Sequence, residues 1–109
     1  MKERLTVDAA QAALAALKDK TFVELFKHGS LIVEIYKPIG VDRQKPHTRD
    51  EVYVVISGCG VFLNGGERRP FEAGEVLFVP ANAEHRFEEF SADFATWVIF
   101  YGPEGGEGA

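Results

Sequence analysis

Residues 45 to 89 read KPHTRDEVYVVISGCGVFLNGGERRPFEAGEVLFVPANAEHRFEE and carry the clearest structural pattern of the chain. Short runs rich in Val, Ile, Tyr and Phe are separated by Gly, Pro and Asn, the pattern of antiparallel strands joined by tight turns. Asn64-Gly65-Gly66 marks a hairpin, because Asn and Gly tolerate the positive φ that a tight β-turn demands. Pro80-Ala81-Asn82 marks another sharp turn. Working outward, the same texture predicts eight strands, at approximately 22–27, 31–37, 47–57, 60–64, 67–72, 76–79, 85–89 and 94–101. Strands this short, with no second layer of helices, either close into a barrel or pair as two sheets, since an open sheet leaves long exposed edges. The expected class is therefore all-β: an antiparallel β-barrel or jelly roll.

Upstream of the strands, residues 6–19 open with Thr6 and Asp8 and continue through an Ala-rich segment with Leu14 and Leu17 three apart. That reads as one short, capped amphipathic helix. Val7, Ala10, Leu14 and Leu17 lie near one face, which predicts packing against the outside of the sheet or against a second subunit. Downstream, residues 102–109 are rich in Gly and Glu, cannot bury a core, and are expected to fray. A chain of 109 residues holds one domain, because two cores would each be too small to suffice. The expected organisation is a single domain over 1–109, with a helical segment at 1–20, the β domain at 22–101 and a flexible tail at 102–109.

Composition narrows the partners. A formal charge of −5 and a pI near 5.1 argue against nucleic acid, whose binders carry a basic stripe. Cys59 is the only cysteine, so neither an intramolecular disulfide nor a multi-cysteine zinc site can form, and a reducing cytoplasm is the expected location. No stretch approaches the roughly 20 apolar residues that span a bilayer, and the N-terminus lacks a basic region followed by an apolar core and cleavage site. Neither membrane insertion nor secretion is expected.

Three residues draw attention as ligands. Side chains alternate along a strand, so His47, Arg49, Glu51, Tyr53 and Val55 share one face of the third strand while Thr48, Asp50, Val52 and Val54 share the other. On a regular strand His47 and Glu51 stand roughly 13 Å apart, and they meet at one ion only if the strand bends between them. A solvated His beside a sheet-edge Glu is the competing reading of that pair taken alone.

Other positions change the weighing. His47 and Glu51 have three residues between them, Glu51 and Gly58 six, and Gly74 and Pro80 five, while His85 follows Asn82 by three positions. These anchors resemble the two motifs of the cupin superfamily, H-x-H-x(3,4)-E-x(6)-G and G-x(5)-P-x-G-x(2)-H-x(3)-N, in particular its small single-domain, conserved-barrel members. The resemblance implies a barrel interior in which His47, Glu51 and His85 bind one divalent transition metal ion. Two imidazoles and one carboxylate suit Fe, Mn, Ni or Zn and leave positions open for water, oxygen or substrate. The sequence departs from the family at Lys45, which replaces the first His, at Asn82, which replaces a Gly, and at Glu89, which replaces the final Asn. Asn82 is mild, because Asn reaches left-handed backbone conformations. Lys45 is not, since an ammonium is no ligand. Either Lys45 points inward near Glu51, or Pro46 marks an irregular strand that turns Lys45 outward and offers the Gln44 amide oxygen instead.

By this resemblance the chain is expected to be a metal-dependent enzyme of the dioxygenase or isomerase class acting on a compact organic molecule, and to form a homodimer. Tyr53 and Arg49 would contact and orient the substrate, the equally weighted readings being a Tyr in the core and an Arg capping the barrel mouth. Because cupin folds also host storage and sensory proteins, a non-enzymatic module that binds or senses a small ligand or metal is the alternative. His28 reads as a solvated turn residue and Cys59 as an inert small one. Phe62, Phe78, Phe87 and Trp97 read as core or cavity wall.

Overall fold

The structure, a computed structural model that describes residues 4–108, contains one helix and eight strands among those residues. In chain order they are α1 (Val7–Ala15), β1 (Phe22–His28), β2 (Leu31–Tyr36), β3 (Asp50–Ser57), β4 (Cys59–Asn64), β5 (Glu67–Glu72), β6 (Val76–Val79), β7 (His85–Glu88) and β8 (Ala95–Tyr101). All pairings between named strands are antiparallel and form two sheets, β1-β2-β8-β3-β6 and β5-β4-β7. The sheets are not joined into a continuous barrel, so of the two expected all-β forms the structure takes the jelly-roll one. No helix of the described residues is long and apolar enough to cross a membrane.

Strand alternation builds the core between the sheets. On β3, Glu51, Tyr53 and Val55 are buried while Val52 and Val54 are only partly so. The inner faces meet in a cluster formed by Tyr36, Tyr53, Val55, Phe62, Phe71, Val79, Phe87, Phe94 and Val98. Five of its rings stack or meet edge to face with centroids 4.6 to 5.7 Å apart, a geometry that adds about 0.5–1.5 kcal/mol per pair beyond burial. Gly58 lets the chain turn from the large sheet to the small one: its φ is +84°, and a Cβ there would lie 2.6 Å from the Phe94 Cα.

Helix α1 starts where Thr6 accepts a hydrogen bond from the Ala9 N–H at 3.1 Å. Its buried Ala10 and Leu14 pack on Ile35 and, around it, Val23, Leu25, Ile56 and Trp97 of the large sheet's outer face. The helix stops at Ala15, short of the expected residue 19, and Val7 and Leu17 stay exposed. Trp97 is thus part of an outer cluster and not cavity wall, and Phe78 is exposed on the edge strand β6.

Two features position the site. Regular β3 begins at Asp50, three residues later than expected, because the segment through Pro46 makes no strand pairing. Its path is tied instead to the turn after β6: the Asn82 N–H donates to the His47 carbonyl at 2.6 Å, with Asn82 itself at φ +68°. The segment after Gly102, expected to fray, lies along the start of β3. There the Gly105 N–H donates to the Thr48 carbonyl and the Glu107 N–H to Asp50 Oδ2.

Candidate metal centre

Glu51 comes from β3 of the large sheet, His85 from β7 of the small one, and His47 from the irregular segment that precedes β3. Their ligand atoms all lie within 4.8 Å of one another. The 13 Å separation expected of a regular strand disappears because His47 is not on it. The bend that a shared ion requires is supplied by Pro46 and the Asn82 contact.

The chemistry of the donors is fixed by their neighbours. His85 Nδ1 lies 3.0 Å from the Ala83 carbonyl, which can only accept, so Nδ1 carries the proton. That leaves the Nε2 lone pair of the neutral ring aimed at Glu51. His85 Nε2 and Glu51 Oε1 approach to 3.2 Å with both side chains sealed from solvent. Yet among the described residues Glu51 Oε1, Glu51 Oε2 and His85 Nε2 have no hydrogen-bond partner. With the ring neutral, a buried carboxylate facing an imidazole lone pair costs several kcal/mol, and either a proton on His85 Nε2 or a metal cation between the two removes that cost. Burial acts most strongly on His85 and opposes its protonation, but the Glu51 carboxylate and the Ala83 carbonyl outweigh it and push its pKa up. Burial pushes the pKa of His47 down despite the Glu51 charge, favouring the neutral, ligating ring. The residues present therefore fit a divalent first-row ion.

Lys45 is exposed and takes no part. Gln44 points inward instead. Its Nε2 donates to Asp42 Oδ2 at 2.9 Å, which turns Oε1 toward the site, where it accepts from the Tyr53 hydroxyl at 3.0 Å and lies 3.4 Å from His47 Nε2. Tyr53 is fully buried against Phe62, Phe87 and His85, and burial followed by the Glu51 charge raises its pKa. Tyr53 therefore holds Gln44 and does not line the cavity. Arg49 lines a cleft with His47, Glu34 and Phe100 that adjoins the site. Its guanidinium donates to the Ser30 and Gly102 carbonyls.

Beside the His47, Glu51 and His85 side chains lies a cavity of about 320 Å³, lined by Phe22, Glu34, Tyr36, Gln44, His47, Glu51, Val98 and Phe100. Two acids of this region escaped the sequence reading. Asp42 is buried and accepts from the Tyr36 hydroxyl, the Phe87 N–H and both the main chain and side chain of Gln44. No local pattern marks it. Glu34 was open to detection: it is the one charge in the apolar run Leu31–Tyr36, sharing a face with Ile32 and Tyr36. Burial, then the charges of Glu24 and Glu51, push its pKa up to about 7.

Two sheets enclosing a His-Glu-His set define a cupin, and the comparisons agree. The chain belongs to the cupin family, whose domain model, described as "Cupin domain", matches residues 32–101. It is 34% identical over 100 residues to an uncharacterized protein of Streptomyces coelicolor, covering 90% of this chain and 94% of that one. It is 39% identical over 69 residues to acireductone dioxygenase 1 of Pectobacterium atrosepticum, covering 58% of this chain but only 39% of the dioxygenase. Among solved structures, a Cupin 2 conserved barrel domain protein from Salinispora arenicola superposes with a TM-score of 0.67 at 19% identity, over 94% of this chain and 89% of that one.

Proposed function

We propose that the chain is a metal-dependent cupin enzyme, of the dioxygenase or isomerase class, acting on a compact organic molecule. The observation that carries this reading is the set of buried, unpartnered atoms of Glu51 and His85 beside His47, opening onto a cavity large enough for a small ligand. His47, Glu51 and His85 would hold the ion, with the Gln44 oxygen as a fourth donor in place of the imidazole that Lys45 replaces. When bound, such an ion supplies Lewis acidity toward a substrate oxygen and free coordination positions.

The rest of the site is the protein's own work. Ala83 holds the His85 tautomer, and Asp42 and Tyr53 hold the Gln44 amide. The apolar side chains Phe22, Val98 and Phe100 limit water at the cavity wall. The partial likeness to a dioxygenase supports the class and goes no further. The test is turnover by metal-loaded protein, read as oxygen consumption and as product formation against a panel of phenolic, thiol and sugar compounds. Turnover that disappears in Glu51→Gln is the expected result. Metal-loaded protein that binds members of the panel and converts none of them would favour a non-enzymatic binding module.

A further inference from the structure

Resting on the reading of this cavity as a substrate site, we propose that it selects a compact organic cation, an amine or quaternary onium group seated between the Glu34 carboxylate and the rings of Phe22, Tyr36 and Phe100. The cavity wall carries no lysine and no arginine. Arg49 lines one adjoining cleft with Glu34, its guanidinium donating to the Ser30 and Gly102 carbonyls, and the exposed Arg43 lines another with Phe22 and Tyr36, yet no cationic side chain of the described residues forms an ion pair with Glu34. Directly opposite Glu34 on β1 stands Glu24, and directly opposite Tyr36 stands Phe22. Like charges facing each other across a strand pair are destabilising unless something positive lies against them. The pKa of Glu34, raised to about 7 by burial first and by Glu24 and Glu51 next, is that of a carboxylate lacking a countercharge.

Two further observations separate this wall from a mere acidic patch. Glu51, 1% exposed and with both oxygens unpartnered, lines the same cavity. A divalent ion held by Glu51 would take up that charge and leave Glu34 as the uncompensated one. The remaining wall is aromatic, and the faces of Phe and Tyr rings attract a cation that has shed its water, a contact open to ammonium and onium groups and denied to carboxylates. A volume of about 320 Å³ stands near the lower end of small-molecule pockets, which restricts the ligand to a compact one. The substrate class that satisfies both parts of the cavity has an oxygen donor for the metal and a cationic group for Glu34.

Calorimetric titration with choline and with 3,3-dimethyl-1-butanol, which share a shape and differ in charge, tests this directly. 3,3-Dimethylbutanoate serves as the anionic probe, and metal content is measured on the same samples. Choline is expected to bind about tenfold or more tightly than its neutral counterpart. That ratio is expected to fall to about twofold or less in Glu34→Gln, and to drop in Phe22→Leu, a half-exposed position that tolerates the change. Metal content stays as in the wild type in both variants. Equal binding of choline and the alcohol, no choline binding at about 10 mM, or a ratio untouched by Glu34→Gln overturns the proposal; tighter binding of the anion does so when it persists in chelator-treated protein, where no metal can ligate the carboxylate. Metal-free protein with the charge preference intact sinks the metal reading alone, and metal-loaded protein without the preference sinks this one alone.

Discussion

Replacing Asp42 with Asn tests whether one buried carboxylate organises the site. Asp42 Oδ1 accepts from the Tyr36 hydroxyl at 2.6 Å and the Gln44 N–H at 3.1 Å, and Oδ2 accepts from Gln44 Nε2 at 2.9 Å and the Phe87 N–H at 2.8 Å. Asparagine keeps one accepting oxygen and sets an NH₂ group against two donors; the Tyr36 hydroxyl or the Gln44 amide can turn to accept from it, but the Gln44 or Phe87 N–H cannot, so one buried N–H loses its partner and the remaining bonds lose their charged acceptor. Bonds to a charged acceptor contribute about 1.5–3 kcal/mol each, and sparing the burial of a carboxylate offsets part of that. The net expected loss is about 2–4 kcal/mol, or about 10–25 °C in melting temperature for a domain of this size. Urea unfolding of chelator-treated protein, followed by the fluorescence of Trp97, the sole tryptophan, reads it out. A change below about 0.5 kcal/mol would refute the reasoning, because four bonds to one buried side chain cannot be that weak. Metal affinity falls as well, since the Gln44 amide is free to turn its oxygen away.

Three other outcomes follow from the same geometry. Lys45→His leaves metal affinity unchanged because position 45 is exposed, whereas Gln44→Ala lowers it by about tenfold; competitive titration checks both, and a gain from Lys45→His would count against the placement of Gln44. The folded-state pKa of Glu34 is raised above its ordinary value, so its contribution is fully present below about 4.5 and is lost as pH rises through about 7; in chelated protein the advantage of Glu34→Gln over wild type in thermal melts therefore grows between those values and then levels off, and an advantage that is constant with pH would show that Glu34 carries no strain. The outer face of the large sheet leaves Val76 and Phe78 exposed on β6, so we propose that a second copy covers it; light scattering is expected to give a dimer mass that Phe78→Asp reduces to the monomer, and a monomeric wild type at micromolar concentration ends this proposal.

The strands were legible because each was written in β-branched and aromatic residues and closed by Gly, Pro or Asn, so the boundaries of β4, β5 and β6 fall within a residue of their expected places. The third strand was legible only in part: Val52–Ile56 announces a strand and Pro46 hints at irregularity before it, but nothing local says that pairing starts as late as Asp50. His47, Glu51 and His85 could be joined through motif spacing, but their approach depends on Pro46 and on a contact from Asn82, some 35 residues away in the chain. Asp42 was out of reach for the same reason: three of its four hydrogen bonds tie it to Tyr36 and Gln44, and the fourth to Phe87, on a strand of the other sheet. Glu34 lay within reach, as a lone charge on the apolar face of β2, where burial without a partner is costly unless a ligand supplies one.

The most direct test of the central claim is elemental analysis of protein purified without added metal, set beside Glu51→Gln and His85→Ala purified in the same way. With Glu51 and His85 sealed from solvent and left unpartnered by the protein, wild type is expected to carry close to one first-row transition metal per chain. His85→Ala is expected to carry almost none, and Glu51→Gln much less than wild type, while near-ultraviolet circular dichroism shows their cores intact. A folded wild type that holds no metal and takes up none on titration with Fe, Mn, Ni or Zn would contradict the account.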